Sequence, residues 1–126
     1  YGSVKASLPA EIRMDTDDET AWYDFEAKYI GDAAELDIPA KLDDAVTDRL
    51  RAMAVDAFKA LDCAGLARVD FFVGDDGELT INEINTMPGF TTTSAYPKMW
   101  EVTGVDYGTL ISTLIDTALA AGTGLR

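Results

Sequence analysis

The chain has 126 residues, with 10 Lys+Arg against 23 Asp+Glu and a formal charge of −13. Hydrophobic residues at 48% and aromatics at 10% mark a globular chain of about one domain rather than a disordered one. So acidic a balance excludes nucleic acid and anionic membrane surfaces as partners and suits a cation or a basic partner, and no apolar run approaches the roughly 20 residues of a membrane span.

The single cysteine, Cys63, excludes an internal disulfide. With no signal-peptide pattern, the expected compartment is a reducing cytoplasm. Tyr1-Gly2-Ser3-Val4-Lys5 reads as a strand already under way. The expectation is a fragment of a longer chain, although a vector scar or a natural cleavage gives the same appearance.

Taken in chain order, two strand-like runs cover Val4 to Leu8 and Glu11 to Met14, broken by Pro9. Asp15 to Thr20 is an acidic polar loop, read as solvated surface. Trp22, Tyr23, Phe25 and Tyr29 then crowd around Asp24, Glu26 and Lys28 without periodicity, as a packed loop or a lid. Pro39 biases Ile38 away from helix. Residues 43 to 62 carry an amphipathic stripe at Leu42, Val46, Leu50, Met53, Ala54, Ala57, Phe58 and Leu61. Asp43 is the expected N-cap and Gly65 the expected stop. Leu66 to Val73 and Leu79 to Ile84, separated by Gly74-Asp75-Asp76-Gly77, read as a β-hairpin. A last helical stripe runs through Leu110, Ile111, Leu114, Ile115, Ala118 and Leu119 to Gly122. Neither a repeat nor a linker divides the chain.

The hairpin register carries the first chemical expectation. With Asp76-Gly77 as a two-residue type I′ turn, Asp70 lies opposite Glu83 and Arg68 opposite Asn85. Alternation then groups Arg68, Asp70 and Phe72 with Ile81, Glu83 and Asn85 on one face. The other face holds Val69, Phe71 and Val73 against Thr80, Asn82 and Ile84, for the helices to cover. Facing carboxylates about 4.5–5.5 Å apart at Cβ repel one another. A divalent cation between them, with Asn85 adding an oxygen, is one answer. Arg68 neutralising the pair is another. A four-residue loop would instead put Asp70 opposite Ile81.

Gly65-Leu66-Ala67-Arg68-Val69-Asp70-Phe71-Phe72, followed by Ile81-Asn82-Glu83-Ile84-Asn85-Thr86-Met87-Pro88-Gly89-Phe90-Thr91, resembles the C-terminal part of the D-alanine–D-alanine ligase family of ATP-grasp enzymes. Ser94-Ala95-Tyr96-Pro97-Lys98 continues the match, although Ala95 stands where a bulkier residue is common. Trp22-Tyr23-Asp24-Phe25-Glu26-Ala27-Lys28-Tyr29 resembles the family's active-site loop, with Trp22 in place of a frequent Phe, and Ile38-Pro39-Ala40 follows it. The resemblance covers essentially the whole chain.

It implies an α+β fold: the C-terminal portion of an ATP-grasp domain over 1–126, mostly antiparallel sheet covered by helices. The lid loop would span about 16–38 and the metal-binding hairpin about 66–86. Such a portion is incomplete without the N-terminal part of the enzyme. The implied activity is ATP-dependent joining of two D-alanines through an acyl phosphate, for peptidoglycan in a bacterial cytoplasm. Asp70, Glu83 and Asn85 would hold two Mg²⁺ ions (Mn²⁺ as a substitute) on the ATP phosphates. Arg68 and the Gly89 backbone N–H would stabilise an oxyanion, and Ser94 would bind the carboxylate of the second D-alanine. Lys28 would reach the transferred phosphate and Tyr29 close the lid. Phe72 and Asn82 would touch the nucleotide. Lys98 has the simpler reading of a surface lysine. The implied partners are D-alanine, ATP, the missing N-terminal part and, in the intact enzyme, a second copy. The fragment alone is expected to be inactive. The alternatives are another ATP-grasp carboxylate–amine ligase, such as a D-alanine–D-lactate ligase, and a non-enzymatic acidic cation-binding domain.

Overall fold

The computed structural model describes residues 3–13 and 35–122. The acidic loop and the aromatic Lys28-Tyr29 segment lie outside the described residues.

Two short antiparallel sheets and three helices make up the described fold. Strand β1 (Glu11–Arg13) pairs with β2 (Glu35–Asp37), Glu11 opposite Asp37 and Ile12 opposite Leu36. The expected strand at Val4 to Leu8 does not form. Its backbone bonds to side chains instead: Arg51 donates through Nε and Nη2 to the Ala6 carbonyl at 3.1 and 2.8 Å. The Leu8 N–H donates to Thr103 Oγ1 at 2.9 Å. These bonds satisfy backbone groups that would otherwise need a ladder.

Helix α1 (Asp44–Ala60) matches the amphipathic stripe at 43–62. Leu50 is its buried residue, with Val46, Met53, Ala54, Ala57 and Phe58 half-buried. Asp43 stands at the N-cap, but its side chain makes no capping bond. The stop comes earlier than Gly65. Asp62 turns left-handed at φ 51°, and its N–H donates to Lys59 O while the Cys63 N–H donates to Phe58 O. That pair of bonds is a Schellman ending with Asp in the usual glycine place. Leu61 therefore leaves the stripe and is exposed.

β3 (Arg68–Val73) and β4 (Leu79–Asn85) form the expected hairpin. Its loop has three residues, not two: Asp75, Asp76 and Gly77 lie inside a Gly74 N–H to Glu78 O bond of 2.8 Å. Gly77 supplies the left-handed residue at φ 83° that such a loop requires. The longer loop shifts the ladder by one, so Val73 faces Leu79 and Phe71 faces Ile81. Continued regularly, it would put Asp70 opposite Asn82. A β-bulge between Asp70 and Phe71 absorbs the extra residue. Beyond it, Asp70 faces Glu83 and Arg68 faces Asn85, as the two-residue loop had implied.

The bulge corrects the faces. Val69, Phe71 and Val73 oppose Ile84, Ile81 and Leu79, so that side is wholly apolar. Thr80 joins Phe72 on the polar side. A slip of one residue changes the face of every side chain beyond it, which is how Leu79, Ile81 and Ile84 all reach the same side.

α2 (Ala95–Val102) was not visible in the periodicity, and α3 (Tyr107–Ala121) was. Asp106 caps α3 by accepting the Thr109 N–H at 2.8 Å, and Gly122 ends it at φ 70°. The buried hydrophobic residues are Leu50, Tyr96 and Leu110, one from each helix. Leu50, Ala54 and Phe58 of α1, with Val69 and Phe71 of β3, line an open cavity of about 2070 Å³ that continues onto the polar side of the hairpin. Among the described residues, no helix is long and apolar enough to cross a membrane.

Candidate active site

The polar side of the hairpin brings Arg68, Asp70, Glu83 and Asn85 together. Arg68 grips Asp70 with a two-pronged fork, Nε to Oδ1 at 2.8 Å and Nη2 to Oδ2 at 3.0 Å. Its Nη2 also lies 3.6 Å from Glu83 Oε1. One guanidinium thus spans both facing carboxylates, and bidentate pairing of this kind fixes geometry as well as energy. Arg68 is the most sheltered of the three and Glu83 the most exposed, at 17% against 46% of the side chain.

Asn85 ends β4 and starts the next loop. Its Oδ1 accepts the Met87 N–H at 2.9 Å, a local turn that Asn favours. Pro88, three residues on, is buried. Phe90 then packs at 5.9 Å from Tyr96 and 5.5 Å from Tyr107, centroid to centroid. The Tyr107 hydroxyl donates to the Phe90 carbonyl at 3.2 Å. This aromatic cluster anchors the loop between Pro88 and α2. Burial pushes the Tyr96 phenol up from its ordinary 10.0, against a smaller opposite pull from a side-chain hydrogen bond with Trp100.

Gly89, which the resemblance reads with Arg68 as an oxyanion donor, lies beside Ser94. A Cβ built on Gly89 would lie 3.3 Å from Ser94 Oγ, so glycine allows the two to approach. Ser94 Oγ accepts the Thr91 N–H at 3.0 Å and lies 2.8 Å from Thr91 Oγ1. The Ser94 hydroxyl is therefore held by Thr91 rather than capping α2, where Ser94 occupies the N-cap position without a side-chain bond. Thr91, Phe90 and Tyr107 are supporting residues that sequence reasoning had not singled out. The signal for Thr91 is its place three residues before Ser94, the reach of a local side-chain turn.

Phe72 is 46% exposed on the same side as Asp70. Asn82 is the residue absorbed at the bulge and is exposed. Lys98 is exposed on α2. Lys28 and Tyr29 lie outside the described residues.

No group of three or more His, Cys, Asp or Glu gathers around a point among the described residues. Asp70 and Glu83 do face each other across the hairpin, and Asn85 follows two residues along the same strand. All three are hard oxygen donors, and Mg²⁺ is typically held by one or two carboxylates with substrate phosphates completing the shell. The donor set fits that ion.

A family model described as the D-ala D-ala ligase C-terminus matches residues 2–116. A D-alanine–D-alanine ligase of Rhodococcus opacus is 66% identical over 127 residues, 99% of this chain and 34% of the relative. The chain thus spans about a third of the length of the curated relatives it matches. The solved D-alanine–D-alanine ligase of Coxiella burnetii superposes with a TM-score of 0.75 at 40% identity, covering 93% of this chain and 28% of that one. A Bacillus anthracis ligase solved with ATP gives 0.64 at 31% identity, over 71% and 31%. The facing Asp70–Glu83 pair, the Asn85–Ser94 loop and these likenesses agree: the chain belongs to the D-alanine–D-alanine ligase C-terminus family, with an α+β fold of the ATP-grasp type.

Proposed function

We propose that this chain is the catalytic C-terminal portion of an ATP-dependent D-alanine–D-alanine ligase. The observation that carries the reading is the Asp70–Glu83 pair facing across the hairpin with Arg68 astride it, in a chain 66% identical to a ligase of that name. In the proposed reaction the carboxylate of one D-alanine takes the γ-phosphoryl group of ATP, giving an acyl phosphate and ADP. The amine of a second D-alanine adds to the acyl carbon. The tetrahedral intermediate expels phosphate and leaves the dipeptide, which supplies peptidoglycan in a bacterial cytoplasm.

Asp70, Glu83 and Asn85 would hold two Mg²⁺ ions, which when bound neutralise charge on the transferring phosphoryl group. Arg68 offers a rigid fork of N–H donors beside that point, suited to an oxyanion. The Gly89 backbone N–H is the proposed second donor. Ser94, held by Thr91, would present its hydroxyl to the carboxylate of the second D-alanine. Phe72 offers an aromatic surface to the adenine, with Asn82 alongside. Lys28 would meet the transferred phosphate and Tyr29 close the lid, keeping water from the acyl phosphate. The lid at about 16–38 and the hairpin at about 66–86 are the working parts of the chain in this reading. The intact enzyme would pair them with its N-terminal part and act as a homodimer.

The test is ligation by the complete protein. Asp70→Asn and Glu83→Gln should each lower D-alanyl-D-alanine formation by about a hundredfold or more, the scale of losing preorganised charge stabilisation. Unchanged turnover in both variants would sink the reading.

A further inference from the structure

Arg68 occupies a telling position. Its guanidinium engages both oxygens of Asp70, at 2.8 and 3.0 Å, and lies 3.6 Å from Glu83. A cation shared by those carboxylates would approach the same oxygens. Two positive centres on one carboxylate repel strongly at such range. The fork takes two of the roughly four lone-pair sites of Asp70, and its positive charge at those oxygens opposes a divalent ion on the remaining ones.

We propose that Arg68 is a built-in competitor for the cation: it clasps Asp70 and Glu83 as a stand-in positive charge, and cation binding releases it toward the reacting carboxyl. The proposal rests on the reading of Asp70 and Glu83 as the cation site. It makes Arg68 a positioning residue for the carboxylates before release and an oxyanion donor after it. Linkage makes the coupling reciprocal: whatever draws Arg68 away tightens the cation, and the cation frees Arg68. The donor would then be available only once the cation is in place.

The experiment measures Mn²⁺ binding to the complete protein without nucleotide, by electron paramagnetic resonance. Arg68→Met should tighten Mn²⁺ about tenfold, because the competing charge is gone. Arg68→Lys, which keeps the charge but loses the fork, should tighten it less. Asp70→Asn should abolish it. If Asp70→Asn weakens binding while Arg68→Met leaves it unchanged or weaker, the competition is overturned and the cation site stands. If Asp70→Asn has no effect, the cation reading fails and the competition falls with it. A second measurement needs no variant at Arg68 to fold. In the wild-type protein with isotope-labelled arginine, the Arg68 Nε–H resonance should move toward the position of exposed arginines when Mg²⁺ is added. A resonance that stays in place overturns the proposal.

Discussion

Asp106 shows how much one carboxylate can do at a helix end. Its side chain accepts the Thr109 N–H at 2.8 Å, and that bond, ahead of a small opposing desolvation, holds its carboxyl below the ordinary 3.8. A carboxylate whose folded value is depressed stabilises the fold above its unfolded value, and loses that contribution as pH falls through the folded value. The wild type should therefore lose stability below about pH 3.8 through this group. Asp106→Asn keeps an oxygen for the cap and removes that slope, while Asp106→Ala lowers the melting temperature by a few degrees at neutral pH. The difference between melting curves of wild type and Asp106→Asn, followed from neutral pH downward, isolates the effect from the other acids. Identical curves at all pH values would refute it. The sequence marked Asp43 as a cap and passed over Asp106. Residue type and place alone cannot tell them apart, because capping also needs the side-chain rotamer.

The hairpin is the element from which most can be learned about legibility. Its existence and its facing Asp70–Glu83 pair were readable, yet the turn used to reach that pair was wrong. The loop is one residue longer and the bulge one residue out, and the two offsets cancel. The bulge did leave a trace: apolar residues fall at Leu79 and Ile81 and next at Ile84, a break in period-two alternation at Asn82-Glu83. This gives a sharp expectation. Deleting Asn82 should restore a regular ladder that still places Asp70 opposite the glutamate and Phe71 opposite Ile81. The deletion protein should fold with a cooperative transition, and amide cross-peaks between the facing strand residues should persist. A protein that fails to fold, or that pairs Asp70 with another residue, would refute it. Helices α1 and α3 were readable because each carries a long apolar stripe. α2 was not, being only eight residues with Pro97 in its first turn. β2 escaped because Glu35-Leu36-Asp37 is too short to show alternation. Within α3, Leu110 is 5% exposed, so Leu110→Ala should cost about 2–4 kcal/mol. Denaturant midpoints measure this, and a change below about 1 kcal/mol, closer to that of a surface substitution, would show the site to be loosely packed.

At the scale of the whole molecule, the described residues bury little. Leu50, Tyr96 and Leu110 are its buried hydrophobic side chains, while Val73 and Ile81 on the hairpin's apolar side remain exposed. The site follows the same pattern. Its hairpin and its Gly89–Ser94 loop were legible because Asn-Glu-x-Asn and Met-Pro-Gly-Phe-Thr are contiguous in the chain. The grip of Arg68 on Asp70 is not legible in the sequence, since a sequence does not say which of two positive partners a carboxylate holds. The charge of −13 takes a narrower meaning as well. Two of its carboxylates, Asp70 and Glu83, face each other by construction of the sheet, and among the described residues most of the other acids are exposed.

Each of the two sheets has only two strands among the described residues. Each strand there therefore has one flank that faces no other described strand. Such a flank is a template on which another strand can form hydrogen bonds. For the hairpin the template is backed by Phe71, Ile81 and Ile84, which adds apolar adhesion to directional bonding. The 126-residue chain studied by itself should therefore self-associate with rising concentration, through strand addition rather than helix contact. Sedimentation velocity across a concentration series checks this. A proline at an outward N–H of β3 should suppress the association, and a strictly monomeric chain at every concentration would refute it.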